Sequence, residues 1–341
     1  MSTDLAPEIA ALVDGLEIAD DARSIRLSDD REVEGDTPKQ LRGALGIALY
    51  EQWHAGISGA GSARRRRSPR RDHDLEKLLA ATVPHETAAV EVVVGPRTVG
   101  PDGEAVLVDL HRVRIRVPLT GVHGATLRSA AVGDTVTLPL SSVRPSLSPG
   151  FLLVNGSTGG PGQGEILRLY LHVPTAALAP GVWGATLTAL EDAGVPYRAK
   201  VLSRRDSFPR RDAVVAYVGE PAWPVLPAVI EAATALGALA PETSSLAHRV
   251  APGAAVAWDP RDGRPGWDRM SFGQHRGAAI AEAVVGTVER GTHREPGAVR
   301  AAVAASLVAA SVDPVAVHRN TNSPTLPLGA APARTLVGVT A

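Results

Sequence analysis

The chain contains no cysteine, which excludes a disulfide framework, a thiol nucleophile, an iron–sulfur cluster and a thiolate zinc site. Only histidine and carboxylate side chains are left to hold a metal. Aromatic residues make up 4%, so the core has to be assembled from Ala, Val and Leu. Neither sign of charge is in excess: 35 basic against 36 acidic residues leave −1, which removes the global positive field of a duplex-binding protein. No nucleic-acid partner is expected, and any anion site must be local. Long apolar runs are also missing. The longest, such as Ala301–Val312, are too short to span a bilayer, and Met1–Leu5 lacks the basic region and apolar run of a secretory signal. The expectation is a cytoplasmic protein without a membrane partner.

What is present has the patterning of an α+β protein. With 341 residues and roughly 150 per domain, two domains are expected, divided at 147/148. Helical spacing covers 4–20 and 38–55, the second with Leu41, Leu45, Leu49 and Trp53 on one stripe and Thr37-Pro38 as cap and first-turn proline. Residues 58–71 include Arg64-Arg65-Arg66-Arg67-Ser68-Pro69-Arg70-Arg71. Such a like-charge block repels itself and reads as a mobile loop, either simply solvated or docking an acidic or phosphorylated peptide. A short helix at 73–81 precedes strand-like alternation at 88–94, 105–117 and 135–140. Residues 1–147 thus read as a helical and β-rich region for peptide or partner docking. Beyond it, strands at 166–173, 197–202 and 213–218 alternate with helices at about 180–193, 223–238, 273–290 and 297–311.

Three clusters could carry chemistry. Lys occurs only at Lys39, Lys77 and Lys200, every other basic residue being Arg. A chain that writes Arg wherever positive charge suffices keeps Lys where Arg cannot serve, and Arg cannot act as a base because it does not deprotonate. Lys200 lies in a strand, Tyr197–Leu202, and neighbouring cations would have to depress its pKa for it to work as a base; a lysine snorkelling from that strand is the bland alternative. On the strand before it, Leu167, Leu169 and Leu171 alternate with Arg168, Tyr170 and His172, so one face is core and the other a row of anion-binding and proton-transferring groups. Arg204, Arg205, Arg210 and Arg211 follow Lys200 and lead into a strand ending near Tyr217. The third cluster, Asp268–Arg276, holds Arg269, an N-cap candidate Ser271, and Arg276 projecting from the first helical turn. Gly156–Gly164 looks like a phosphate loop, but no Lys-Ser/Thr follows it and a strand comes next, so it reads as a flexible connection. The ten histidines show no metal spacing, and neither a metal nor another cofactor is expected.

The ordered set Leu49–Gly56, Ser148-Pro149-Gly150-Phe151, Arg168–Pro174, Val195–Leu202, Arg211-Asp212-Ala213-Val214 and Ser271–Arg276 resembles the HopA-type effector family, which includes the lyase components of class V lanthipeptide and thioamitide biosynthesis. More distantly, the C-terminal half resembles the bacterial phosphothreonine lyases. The resemblance implies an α+β lyase-like domain over 148–341 and metal-independent β-elimination of phosphate from phosphoserine or phosphothreonine in a ribosomally made precursor peptide. The product would be dehydroalanine or dehydrobutyrine. In those terms Lys200 is the base, Arg168, Arg211 and Arg276 hold phosphate with Arg210, Arg269 and Tyr217 nearby, and Tyr170 or His172 is the acid. No cofactor is implied. The partners implied are the phosphorylated peptide and a separate kinase-like protein, since this chain carries no nucleotide motif. A non-catalytic subunit presenting the peptide to its kinase, or an effector acting on a host protein, is the alternative.

Overall fold

The computed structural model describes residues 4–19, 23–57, 71–110, 113–121 and 123–325. Of the basic block, only Arg71 falls within the described residues. Helix α1 (Pro7–Asp14) ends at Gly15, so the helix expected over 4–20 is shorter. The chain instead enters a small antiparallel sheet, β1 (Glu17–Ile18), β2 (Ser24–Arg26) and β3 (Glu32–Glu34). Helix α2 (Pro38–Leu49) starts with a capping box, the Thr37 hydroxyl accepting from the Gln40 amide and the Gln40 side chain accepting from that of Thr37. It buries Leu41, Leu45 and Leu49, as their spacing predicts. The helix then widens into a π-helical turn, Tyr50–Ala55, which stops at Gly56 with φ +70°. A Cβ at that glycine would also lie 2.7 Å from Arg211 Nε.

After α3 (His73–Ala81) come β4 (Thr87–Gly100), β5 (Gly103–Leu110), β6 (Val113–Pro118), α4 (Gly124–Ser129) and β7 (Thr135–Ser141). The four strands form one antiparallel sheet in the order β6-β5-β4-β7. It has a small core of its own, built on Val92, Val106, Val108, Leu127 and Leu138.

The remaining elements are β8 (Val143–Ser148), β9 (Phe151–Asn155), β10 (Leu167–Val173), α5 (Ala179–Asp192), β11 (Tyr197–Leu202), β12 (Arg210–Val218), α6 (Leu226–Thr234), β13 (His248–Ala251), β14 (Ala254–Trp258), α7 (Phe272–Glu289) and α8 (Ala298–Ala309). Their strands make a seven-stranded antiparallel sheet, ordered β13-β14-β10-β12-β11-β9-β8. One face, with Leu167, Leu169, Leu171, Ala199, Val201, Val214 and Ala216, packs on Trp183 and Leu187 of α5 and Leu226 and Val229 of α6. The opposite face meets α2 and α7. Those two helices approach closely because both carry glycine at the crossing; a Cβ on Gly277 would sit 2.8 Å from the Gly46 carbonyl oxygen. Leu41, Leu45 and Leu49 share one core with Ala279, Ile280 and Val284 of α7 and Val303 and Leu307 of α8. The first helices of the chain are therefore built into its last third, and the α+β fold has helices on both faces of its main sheet. Gly156–Gly164 is tied down rather than loose: the Ser157 amide and hydroxyl both donate to the Glu191 carboxylate. No helix among the described residues is long and apolar enough to cross a membrane.

Candidate functional site

Side chains alternate across a strand, and antiparallel pairing then aligns those of one face into rows. Asn155, Arg198, Tyr217 and Arg168 form one such row across β9, β11, β12 and β10, and Leu153, Lys200, Val215 and Tyr170 form the next. The ring of Tyr217 stands between two cations, the Arg168 guanidinium 4.9 Å from its centroid and the Lys200 ammonium 5.8 Å away. On its other side the Lys200 ammonium lies 4.3 Å from the Phe151 ring. It makes no hydrogen bond or ion pair among the described residues.

Arg168 is buried and ion-paired with Asp259. Its Nε has no hydrogen-bond partner, while the buried Tyr170 hydroxyl beside it interacts with the Arg168 guanidinium. Burial pushes the Tyr170 phenol well above its ordinary value. A buried guanidinium nitrogen without an acceptor, next to a lysine that forms no ion pair and shares the Asp212 charge with Arg210, suits a ligand that brings oxygen acceptors and negative charge.

A second layer supports this row from the π turn. Arg210 grips the Asp212 carboxylate with Nε at 2.7 Å and a terminal nitrogen at 2.6 Å, and donates to the Tyr50 hydroxyl at 2.6 Å. Burial alone would raise the Asp212 pKa, but the Arg210 pair outweighs it and holds the carboxyl well below the usual range. Burial pushes Tyr50 up to about 12, helped by the Asp212 charge. His54 is 2% exposed. Its Nδ1 lies 2.8 Å from Ser244 Oγ and its Nε2 3.8 Å from Asp212, and its ring meets that of Tyr170 edge-on at 5.0 Å. Burial holds His54 down to about 4 against the pull of Asp212, so the ring is neutral at pH 7. Only glycine at 273 leaves room for it, since a Cβ there would be 2.4 Å from His54 Cδ2.

The structure thus brings Arg168, Tyr170, Lys200, Arg210 and Tyr217 together. His172 and Arg211 sit at the end of the same strands, facing Glu242 rather than Lys200. The Nδ1–H of His172 donates to the Glu242 carbonyl at 2.9 Å, and burial lowers its pKa. Arg211 lies across Gly56 and reaches the Gln52 carbonyl at 3.4 Å; burial lowers it, opposed by Glu242. Arg276 does not project into solvent as expected from its place in the first turn. It is fully buried and bonded to the Val317 and Arg319 carbonyls, Asn320 Oδ1 and His275 Nδ1. With its fork occupied, and burial lowering its pKa to about 9, it backs the site through the Phe272 ring, 4.9 Å away. Arg269 is exposed in the loop before α7. Reading the sequence missed His54, Tyr50, Asp212 and Phe151 as parts of the site. The i, i+4 pair Tyr50/His54 within Leu49–Gly56 was the available signal. Among the described residues no three His, Asp or Glu side chains converge as metal ligands.

A cationic and aromatic row lies on one face of an antiparallel sheet backed by helices from both ends of the chain, and together they make this an α+β protein. Residues 142–319 match the HopA1 effector protein family. That is more than half of the chain, which belongs to this family. Among solved structures the chain is similar to the effector protein from Pseudomonas syringae pv. tomato strain DC3000, with 14% identity, 84% of this chain and 91% of that one covered, and a TM-score of 0.45. It is also similar to the effector protein from Pseudomonas syringae pv. syringae strain 61, with 12% identity, coverage of 81% and 97%, and a TM-score of 0.42. No curated protein matches the chain.

Proposed function

We propose that this protein is a phosphoserine/phosphothreonine lyase acting on a ribosomally made precursor peptide phosphorylated by a separate kinase-like protein. The observation that carries the reading is Lys200, a strand lysine without a direct ion pair, in the row next to Arg168 and Tyr217. In the proposed reaction the Lys200 side-chain nitrogen takes the α-proton. The C–H electron pair becomes the Cα=Cβ double bond, and the Cβ–O bond breaks, its electrons leaving with phosphate. The bridging oxygen gains its proton from Tyr170, in the Lys200 row, in preference to His172, whose Nδ1 is held by Glu242. Arg168 holds the phosphate oxygens through its free Nε, with Arg210 adding charge. Atoms and charges balance without a cofactor, and the product is a dehydroalanine or dehydrobutyrine residue.

Mass spectrometry of a phosphoserine/phosphothreonine peptide incubated with the full chain and EDTA tests this. Loss of phosphoric acid is the expected result, with Lys200→Met slowing it by at least about 100-fold while phosphopeptide binding persists. A peptide that binds but stays phosphorylated overturns the lyase reading. That result would favour the second reading, to which the effector description of the family lends support: a non-catalytic subunit presenting the peptide to its kinase, or an effector acting on a host protein.

A further inference from the structure

Beyond the Lys200 row, toward the sheet edge, two arginines stand without counter-charge. Arg144 of β8 pairs with Leu153, which pairs with Lys200, so Arg144 continues the Lys200 row one strand past Leu153; Arg198 continues the Tyr217 row on the same face. Both are half-exposed. Many arginines of this protein are matched by a carboxylate: Arg31 by Asp29 and Glu51, Arg204 by Asp206, Arg205 by Asp72, Arg264 by Asp262. Neither Arg144 nor Arg198 forms an ion pair among the described residues. Arg198 donates only to the neutral Asn155 Oδ1, at 3.0 Å, and the Arg144 Nε is buried without a partner. Burial, and next the charge of Arg198, lower the Arg144 pKa, the mark of two cations held together without an anion between them.

We propose that Arg144 and Arg198 form a second anion subsite that takes the carboxylate of an acidic residue in the bound peptide. The proposal rests on the reading of Lys200 as the phosphoresidue site, and it narrows the substrate class to acidic phosphopeptides. Arg144 and Lys200 are two strand spacings apart, about 10 Å. An extended peptide advances about 3.3 Å per residue with its side chains alternating between faces, so the acidic residue lies two positions from the phosphorylated one, the nearest that also faces the sheet and the spacing of Arg198 from Lys200 on β11, on one side only.

The test uses the full-length wild-type chain and peptides in which a methylene replaces the bridging oxygen of phosphoserine, so that binding is measured without elimination. Glu or Gln is placed two residues before or after the phosphonate, and calorimetry reads the dissociation constants. One of the two Glu peptides should bind about tenfold more tightly than its Gln twin. The advantage should vanish in Arg144→Gln/Arg198→Gln and survive in Arg144→Lys/Arg198→Lys, which shows that the variants fold. Equal affinity for Glu and Gln peptides at both positions overturns the subsite, as does an advantage that persists in the Gln double variant. Glu-dependent binding that needs Arg144 and Arg198 but is indifferent to the phosphonate keeps the subsite and sinks the Lys200 reading. Failure of every peptide to bind sinks both.

Discussion

The two faces of the seven-stranded sheet come from the same strands, one residue apart. On β10, Leu167, Leu169 and Leu171 are wholly buried against α5 and α6, while Arg168, Tyr170 and His172 look the other way. On β11 the division runs between Ala199 and Val201 on one side and Arg198 and Lys200 on the other, and on β12 between Val214 and Ala216 and Tyr217. The apolar face derives its stability from area removed from water. The opposite face buries Tyr170, Val215 and Ala257 in the core under α2 and α7, adds directed contacts such as the Arg210–Asp212 pair and the His54–Ser244 bond, and leaves the Arg168 Nε unsatisfied. On the regular parts of β10 and β11 the pleat thus sets the cationic and hydroxyl groups apart from the apolar core under α5 and α6, and a substitution there should weigh toward stability or function according to the parity of its position.

The largest effect expected from that contrast is on the apolar face. Trp258→Ala removes a fully buried ring that packs edge-on against Trp223 at 4.9 Å and should cost about 3–5 kcal/mol in urea unfolding. Phosphopeptide affinity of the folded fraction should not change; a selective loss of binding would blur the division.

On the polar face, His54 gives a smaller and pH-dependent effect. Its folded-state pKa is about 4 against an ordinary 6.5, so between those values the unfolded chain binds a proton that the folded chain refuses. The contribution of the neutral ring is complete above pH 6.5 and is lost as pH falls toward 4, on the order of 2 kcal/mol at pH 5. Urea midpoints at pH 7 and 5 should show a drop, and the drop should be smaller in His54→Gln. Asp212, also depressed, acts in the same direction but only below its ordinary 3.8.

The smallest effect is expected at Arg269→Ala, an exposed loop position, where stability should stay within about 0.5 kcal/mol. A large loss of phosphopeptide affinity there would show that the site extends beyond the sheet face to the loop before α7.

The parity of β10 was legible in the sequence because period two is a property of consecutive residues. Lys200 was legible for another reason, the scarcity of lysine. His54 was not, because its place depends on a π turn in a helix more than a hundred residues before β10, and on a glycine at 273 that only the folded chain sets against it. The burial of Arg276 was hidden by the usual exposure of arginine; its acceptors at 317–320 are distant in sequence and are backbone or amide oxygens without a motif. The short strands β1–β3 and β13 were too brief for alternation to register. The edge position of Arg144 followed from a bulged pairing of β8 with β9 that neither segment announces.

The packing of α2 on α7 also has a consequence for synthesis. Arg42 and Glu289, which join the two helices at one end, are separated by 247 residues. At roughly 5–20 residues per second, α2 is synthesised tens of seconds before the helix that covers it. Throughout that interval Leu41, Leu45 and Leu49 have no partner from α7, so the nascent chain carries an apolar stripe that a chaperone must shield or a slow, late docking step must resolve.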